Sequence, residues 1–138
     1  MNKTELENLA GLRIKEAEIL LMADCYQGAY YLAGYALECT LKACIAKQVK
    51  EFDFPDLNLA KDSWSHDLAK LLRTAQLNQE LNQKESQDLN FKLNWATAKE
   101  WSEKSRYDCA INKRDANDLF NAITDNQSGI LPWLKNYL

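Results

Sequence analysis

Residues 30–47 read YYLAGYALECTLKACIAK, a helix-length run that is apolar nearly all round and yet carries Glu38 and Lys42 near its middle. A helix with no polar face has to be covered on every side, which in a small domain points to covering by a second subunit as well as by the chain's own helices. The run is interrupted by both charges and is a little short for a bilayer, which separates it from a membrane span. Glu38 and Lys42 stand at i, i+4 with the acid N-terminal, the spacing that brings the two side chains together on one helix face. Tyr31, Gly34, Tyr35, Leu41 and Ile45 flank the pair. A carboxylate in that setting loses hydration, and a buried charge without a full set of partners is costly. Either the pair is a rim ion pair, or another residue answers Glu38.

The rest of the chain supplies few candidates. With 138 residues it fits one domain, 1–138, and its four Gly, two Pro and 27% charged residues describe a helical globular protein. The formal charge of -3 argues against non-specific binding along a phosphate backbone, which needs a basic stripe, while leaving room for a local basic patch. Cys25, Cys39, Cys44 and Cys109 form no CxxC pair, and Cys39 and Cys44 fall inside the apolar helix as small hydrophobes. This implies a reducing compartment with no metal site and no cofactor. The opening MNKTELENLAGLRIKEAEILL has acids before its apolar stretch and lacks a cleavage site, so it is not a signal peptide, and a cytoplasmic location is expected.

Apolar spacing predicts an all-α bundle of about five helices. The first runs from a Thr4 cap to about 24, the second over 27–49, and a long loop fills 50–65. Ser65 caps a third helix over 66–77, the polar stretch NQELNQKESQ is only partly ordered at its start, and a fourth helix reaches about 102. A fifth starts at 112 or 113, with Gly129 and Pro132 kinking or dividing it. No alternation of strand type occurs anywhere.

Two residues stand out as partners for Glu38. Arg106, in the irregular segment SEKSRYDCAINKR, carries a planar guanidinium able to hold a carboxylate or a phosphate through two hydrogen bonds. His66 is the single histidine. Each also has a plain alternative, a solvated loop arginine and a helix-start histidine bonded to a neighbouring group. Gly-rich phosphate loops, HExxH, GxSxG and EF-hand patterns are absent from the sequence.

The order of these residues resembles that of the HEPN domain family of small prokaryotic helical proteins. The likeness rests on Ala33, Gly34, Tyr35, Glu38, Leu41, Lys42 and Ala43, then on His66, Leu68 and Leu71 after the long loop, then on Arg106 and Tyr107. It spans nearly the whole chain. The resemblance implies an up-and-down helical bundle forming a symmetric homodimer, with a cognate nucleotidyltransferase as partner in a toxin–antitoxin or defence context. It also implies a metal-independent endoribonuclease in active members, where an Arg followed a few residues later by a His serves the attack of the RNA 2'-hydroxyl. Here Arg106 is followed by YDCAINKR, with Asn112 where a histidine would stand.

The expectation is therefore a module that binds nucleotide or RNA, a nucleotidyltransferase, or both, through Glu38, Lys42, His66, Arg106 and Tyr107, without the usual catalytic pair. In that reading Glu38 orients Arg106, while Lys42 and His66 border the same pocket. Two alternatives stay open: a ribonuclease toxin using Arg106 with His66, Asn112 or Tyr107, and a structural dimerisation domain in which Glu38 and Arg106 staple a loop to the second helix.

Overall fold

The apolar periodicity is realised as helix throughout. The computed structural model describes residues 1–49, 54 and 56–138, and among them it contains eight α-helices, two 3-10 segments and no strand. The helices are α1 (Lys3–Met22), α2 (Tyr26–Ala46), α3 (Leu57–Ser63), α4 (Leu68–Thr74), α5 (Asn78–Gln87), α6 (Leu89–Ala98), α7 (Lys113–Thr124) and α8 (Ile130–Leu134). The 3-10 segments are Glu103–Tyr107 and Lys135–Tyr137.

The fold class is the expected one, and the higher helix count has local causes. Asn2, not Thr4, caps α1: its side chain accepts from the Glu5 N–H at 2.9 Å while Glu5 accepts from the Asn2 N–H at 2.9 Å. Part of the expected loop 50–65 is helical, because Asp56 accepts from the N–H groups of Asn58 and Leu59 and starts α3. Residues 50–53 and 55 of that loop lie outside the described residues. Asp67, not Ser65, caps α4, which leaves His66 ahead of the helix. The backbone turns after α4 at Gln76, where φ is 60°, and NQELNQKESQ is fully helical as α5. Asp88 then ends α5 and caps α6 through the Phe91 N–H, while its other oxygen accepts from Ser128 Oγ at 2.8 Å. Helix α7 starts where expected, capped by Asn112, but it stops at Thr124 and a separate α8 begins after Gly129.

Helix α2 is the axis of the molecule. It packs against α1, α4, α7, α8 and the turn Glu103–Tyr107, and twelve of its residues are buried, Ala29 to Ile45. Small side chains make this close approach possible: Ala29, Ala33, Ala36 and Ala43 on α2 meet neighbours whose buried residues include Ala10 and Ala17 on α1 and Ala116 and Ala122 on α7. Gly34 is the extreme case, since a Cβ there would fall inside the Trp101 indole. Wrapping by the chain's own helices therefore meets the demand made by the all-round apolar surface, and that surface does not by itself require a second copy. Larger residues fill the remaining core, with Leu37, Leu41, Leu71, Phe91, Leu119 and Ile123 fully buried, each stabilising the fold by roughly 1.5–3 kcal/mol. No helix among the described residues is long and apolar enough to cross a membrane.

Candidate functional site

Glu38 lies on the face of α2 that looks out between α1 and the segment leading into α4, and it is only 1% exposed. Its carboxylate is answered from two directions. His66 Nδ1 stands 2.7 Å from Glu38 Oε1, and Lys42 Nζ, one turn along α2, is 3.8 Å from Oε2. The other ring nitrogen is also engaged, with His66 Nε2 3.2 Å from Glu103 Oε2 on the 3-10 turn. The imidazole thus ties together α2, the approach to α4 and the turn Glu103–Tyr107. Its side chain keeps 47% of its surface exposed, so the clamp closes at the molecular surface.

The expected bond between Glu38 and Arg106 does not form. Residues three apart in a 3-10 turn stand over one another, so Arg106 shares a face with Glu103, but it projects outward. Arg106 is exposed, has no carboxylate within ion-pair distance among the described residues, and lies over the ring of its neighbour Tyr107, 4.8 Å from the centroid. Tyr107 is itself 74% exposed. The Tyr107 phenol, and after it Tyr31, push the guanidinium above its ordinary range. Tyr31 in turn stacks on Tyr35, with rings 6.1 Å apart and 11° from parallel, and on Trp101 at 6.2 Å. An aromatic row along α2 therefore leads from the floor beside Glu38 to the arginine.

Beside the clamp, a groove of about 530 Å³ is lined by Glu38, Lys42, Tyr35, Cys39, Leu9 and Trp64, among others. Cys39 on its floor and Cys44 deeper in α2 are pushed up to about 11 by burial, so both thiols stay protonated at neutral pH.

Of the expected site residues, Glu38, Lys42 and His66 come together, Arg106 and Tyr107 form a second, solvent-facing pair, and Asn112 serves elsewhere. The Asn112 side chain accepts from the Asp115 N–H at 2.9 Å as the cap of α7, which occupies the group that a catalytic role would need. Glu103 was not singled out by sequence reasoning. Its signal was available in SEKSRY, an acid three residues ahead of Arg106, but only the 3-10 geometry gives that spacing a meaning.

Family models, curated proteins and solved structures provide no match to the chain.

Proposed function

We propose that the chain is an HEPN-like module that binds RNA or a nucleotide through the face bearing Arg106 and Tyr107, with a nucleotidyltransferase as its partner protein, and that it lacks the standard ribonuclease pair. The observation that carries this reading is the open guanidinium. Arg106 has free donors, no competing carboxylate among the described residues, and an exposed aromatic ring beneath it. This combination suits a phosphate held by the charge and a base stacked on the ring. Lys42 and His66 are both held by Glu38, which leaves the binding role to Arg106 and Tyr107.

A second reading is favoured by one specific feature. A carboxylate that fixes Nδ1 of a half-exposed imidazole is the arrangement used to orient a general base. For His66 to move protons, Glu103 would have to leave Nε2, and Arg106 would have to supply the charge stabilisation. The binding site itself is tested by one experiment. Fluorescence anisotropy of a labelled single-stranded RNA, at fixed low salt, is expected to rise with the wild-type protein and to need roughly tenfold more of Arg106→Ala, with Tyr107→Ala intermediate. Equal binding by wild type and Arg106→Ala, both with unchanged helical circular dichroism, would remove the proposed site.

A further inference from the structure

The groove beside the clamp has an apolar body. Leu6, Leu9, Ile45 and Leu59 line its volume of about 530 Å³, which lies within the roughly 300–1,000 Å³ of small-molecule sites. Trp64 stands in the same lining with 72% of its surface exposed, and Met1 and Val49 beside it are exposed as well. Exposed apolar side chains gathered around a concavity mark a binding groove, whereas scattered ones carry no such meaning. Polar side chains are few here, and the fold engages most of them. Asp56 caps α3 through the Asn58 and Leu59 N–H groups, and Ser63 Oγ donates to the Ala60 carbonyl at 2.7 Å. Burial first, then Cys39 and Glu38, push the Tyr35 phenol up, and burial pushes the Cys39 thiol up to about 11, so both stay neutral.

Glu38 and Lys42 are the exception. His66 takes up Glu38 Oε1, but Oε2 accepts no hydrogen bond among the described residues. Lys42 Nζ, at 3.8 Å, is near enough to balance its charge and too far to donate to it. The unpartnered side-chain atoms sealed from solvent among the described residues are Glu80 Oε2, Trp101 Nε1 and Ser105 Oγ, and Glu38 Oε2 is not one of them. A carboxylate that is 1% exposed therefore keeps one reachable oxygen on the groove it lines. The Lys42 ammonium, on a side chain 21% exposed, likewise makes no hydrogen bond among the described residues. A balanced anion and cation side by side select against a guest with net charge, because one attracts it and the other repels it. The group that answers both is uncharged and carries a donor next to an acceptor, as a carboxamide does. Filling the groove with a guest that lacks either one strips water from a charged group and gives nothing back. The exposed Trp64 indole and the Tyr35 ring suit a flat aromatic body attached to that amide.

We propose that this groove binds an uncharged aromatic amide, its N–H on Glu38 Oε2, its carbonyl on Lys42 Nζ and its ring system against Trp64 and the leucine wall. The site does not rest on the Arg106 face, and probes without a phosphate keep the two apart. Naphthylacetamide, naphthylacetate and naphthylethylamine share one ring system and differ in head group, and each is titrated by calorimetry into the full chain at neutral pH. Saturable one-to-one binding of the amide is expected, with the acetate and the amine each roughly tenfold weaker. Trp64→Ala, at an exposed position, is expected to keep its helical circular dichroism and to weaken the amide roughly tenfold, while Lys92→Met, exposed on α6 and outside the groove, leaves it unchanged. Lys42→Met removes the ammonium and keeps the carboxylate, so the preference should turn from the amide to the amine. The absence of saturable heat from the amide, a charged analogue that binds wild type as tightly as the amide, or an unchanged order of the three probes in folded Lys42→Met would each overturn the proposal.

Discussion

At His66 both ring nitrogens face carboxylates, at 2.7 and 3.2 Å, and Glu38 also has Lys42 Nζ at 3.8 Å; three residues on from Glu103, Arg106 meets no carboxylate within ion-pair distance among the described residues. Both sites lean on the same 3-10 turn. The difference separates two uses of polar side chains. A carboxylate buried as deeply as Glu38 is tolerable only where neighbours answer it, and once answered it fixes geometry, here the place of the turn. A charged group left without a partner at the surface keeps its hydrogen-bonding capacity for a ligand. Arg106 belongs with the second kind, although it sits on the turn that the first kind holds.

The comparison breaks first at Glu38. Replacing Glu38 by Ala removes two charge-assisted contacts and leaves a hole, and is expected to cost about 2–3 kcal/mol in urea unfolding. His66→Ala is expected to cost about 1–2 kcal/mol, because it strips the buried carboxylate of its nearest donor. The double variant should fall short of the sum by about 1 kcal/mol if the two act as one clamp, while full additivity would dissolve it into unrelated contacts.

Gly34→Ala strikes both sites at once. The added Cβ meets Trp101, which leads into the turn, so the indole has to move and carry the turn with it. A loss of about 1–3 kcal/mol is expected, with a shift in tryptophan emission, and RNA affinity should weaken. Asn112→Ala sharpens the contrast from the other side. As a helix cap it is worth about 1 kcal/mol, and its loss should leave RNA binding unchanged, whereas a catalytic partner of Arg106 would alter the RNA assay at unchanged stability.

The gentlest test uses the thiols. Cys25 and Cys109 are exposed and should react with a thiol reagent at neutral pH, whereas Cys39 and Cys44 should wait for unfolding. Burial raises both buried thiols from 9.0 to about 11, and a group whose folded value is raised favours the folded state while it stays protonated. Their contribution is therefore complete below pH 9 and lost as the pH climbs through about 11, with Tyr30 and Tyr35 shifted in the same direction. Stability that stayed flat across that window would place these side chains in water.

The central helix was readable because its signals are strong: an unbroken apolar run, an i, i+4 acid–base pair and a single histidine downstream. What stayed hidden has physical reasons. Asn2 with Glu5 and Thr4 with Glu7 both satisfy the pattern of a capping box, and sequence cannot choose between two adequate caps. Helices α3 and α5 are short or polar and owe their form to Asp56 and to packing through Leu81, so neither shows a sustained apolar period. The pairing of Glu38 with His66 instead of Arg106 depends on the 3-10 turn, which sends Glu103 to the imidazole and Arg106 to solvent.

The proposed division of labour, a closed clamp that positions and an open arginine that binds, is tested most directly by one assay. An end-labelled single-stranded RNA is incubated with the purified protein in the presence of chelator, and binding and strand integrity are read from the same tube for wild type, Arg106→Ala and His66→Ala. The account predicts that wild type binds the RNA and leaves it intact, that Arg106→Ala loses binding while remaining folded, and that His66→Ala loses stability before it loses affinity. Cleavage by wild type that disappears in folded His66→Ala would contradict it and make the clamp a catalytic centre.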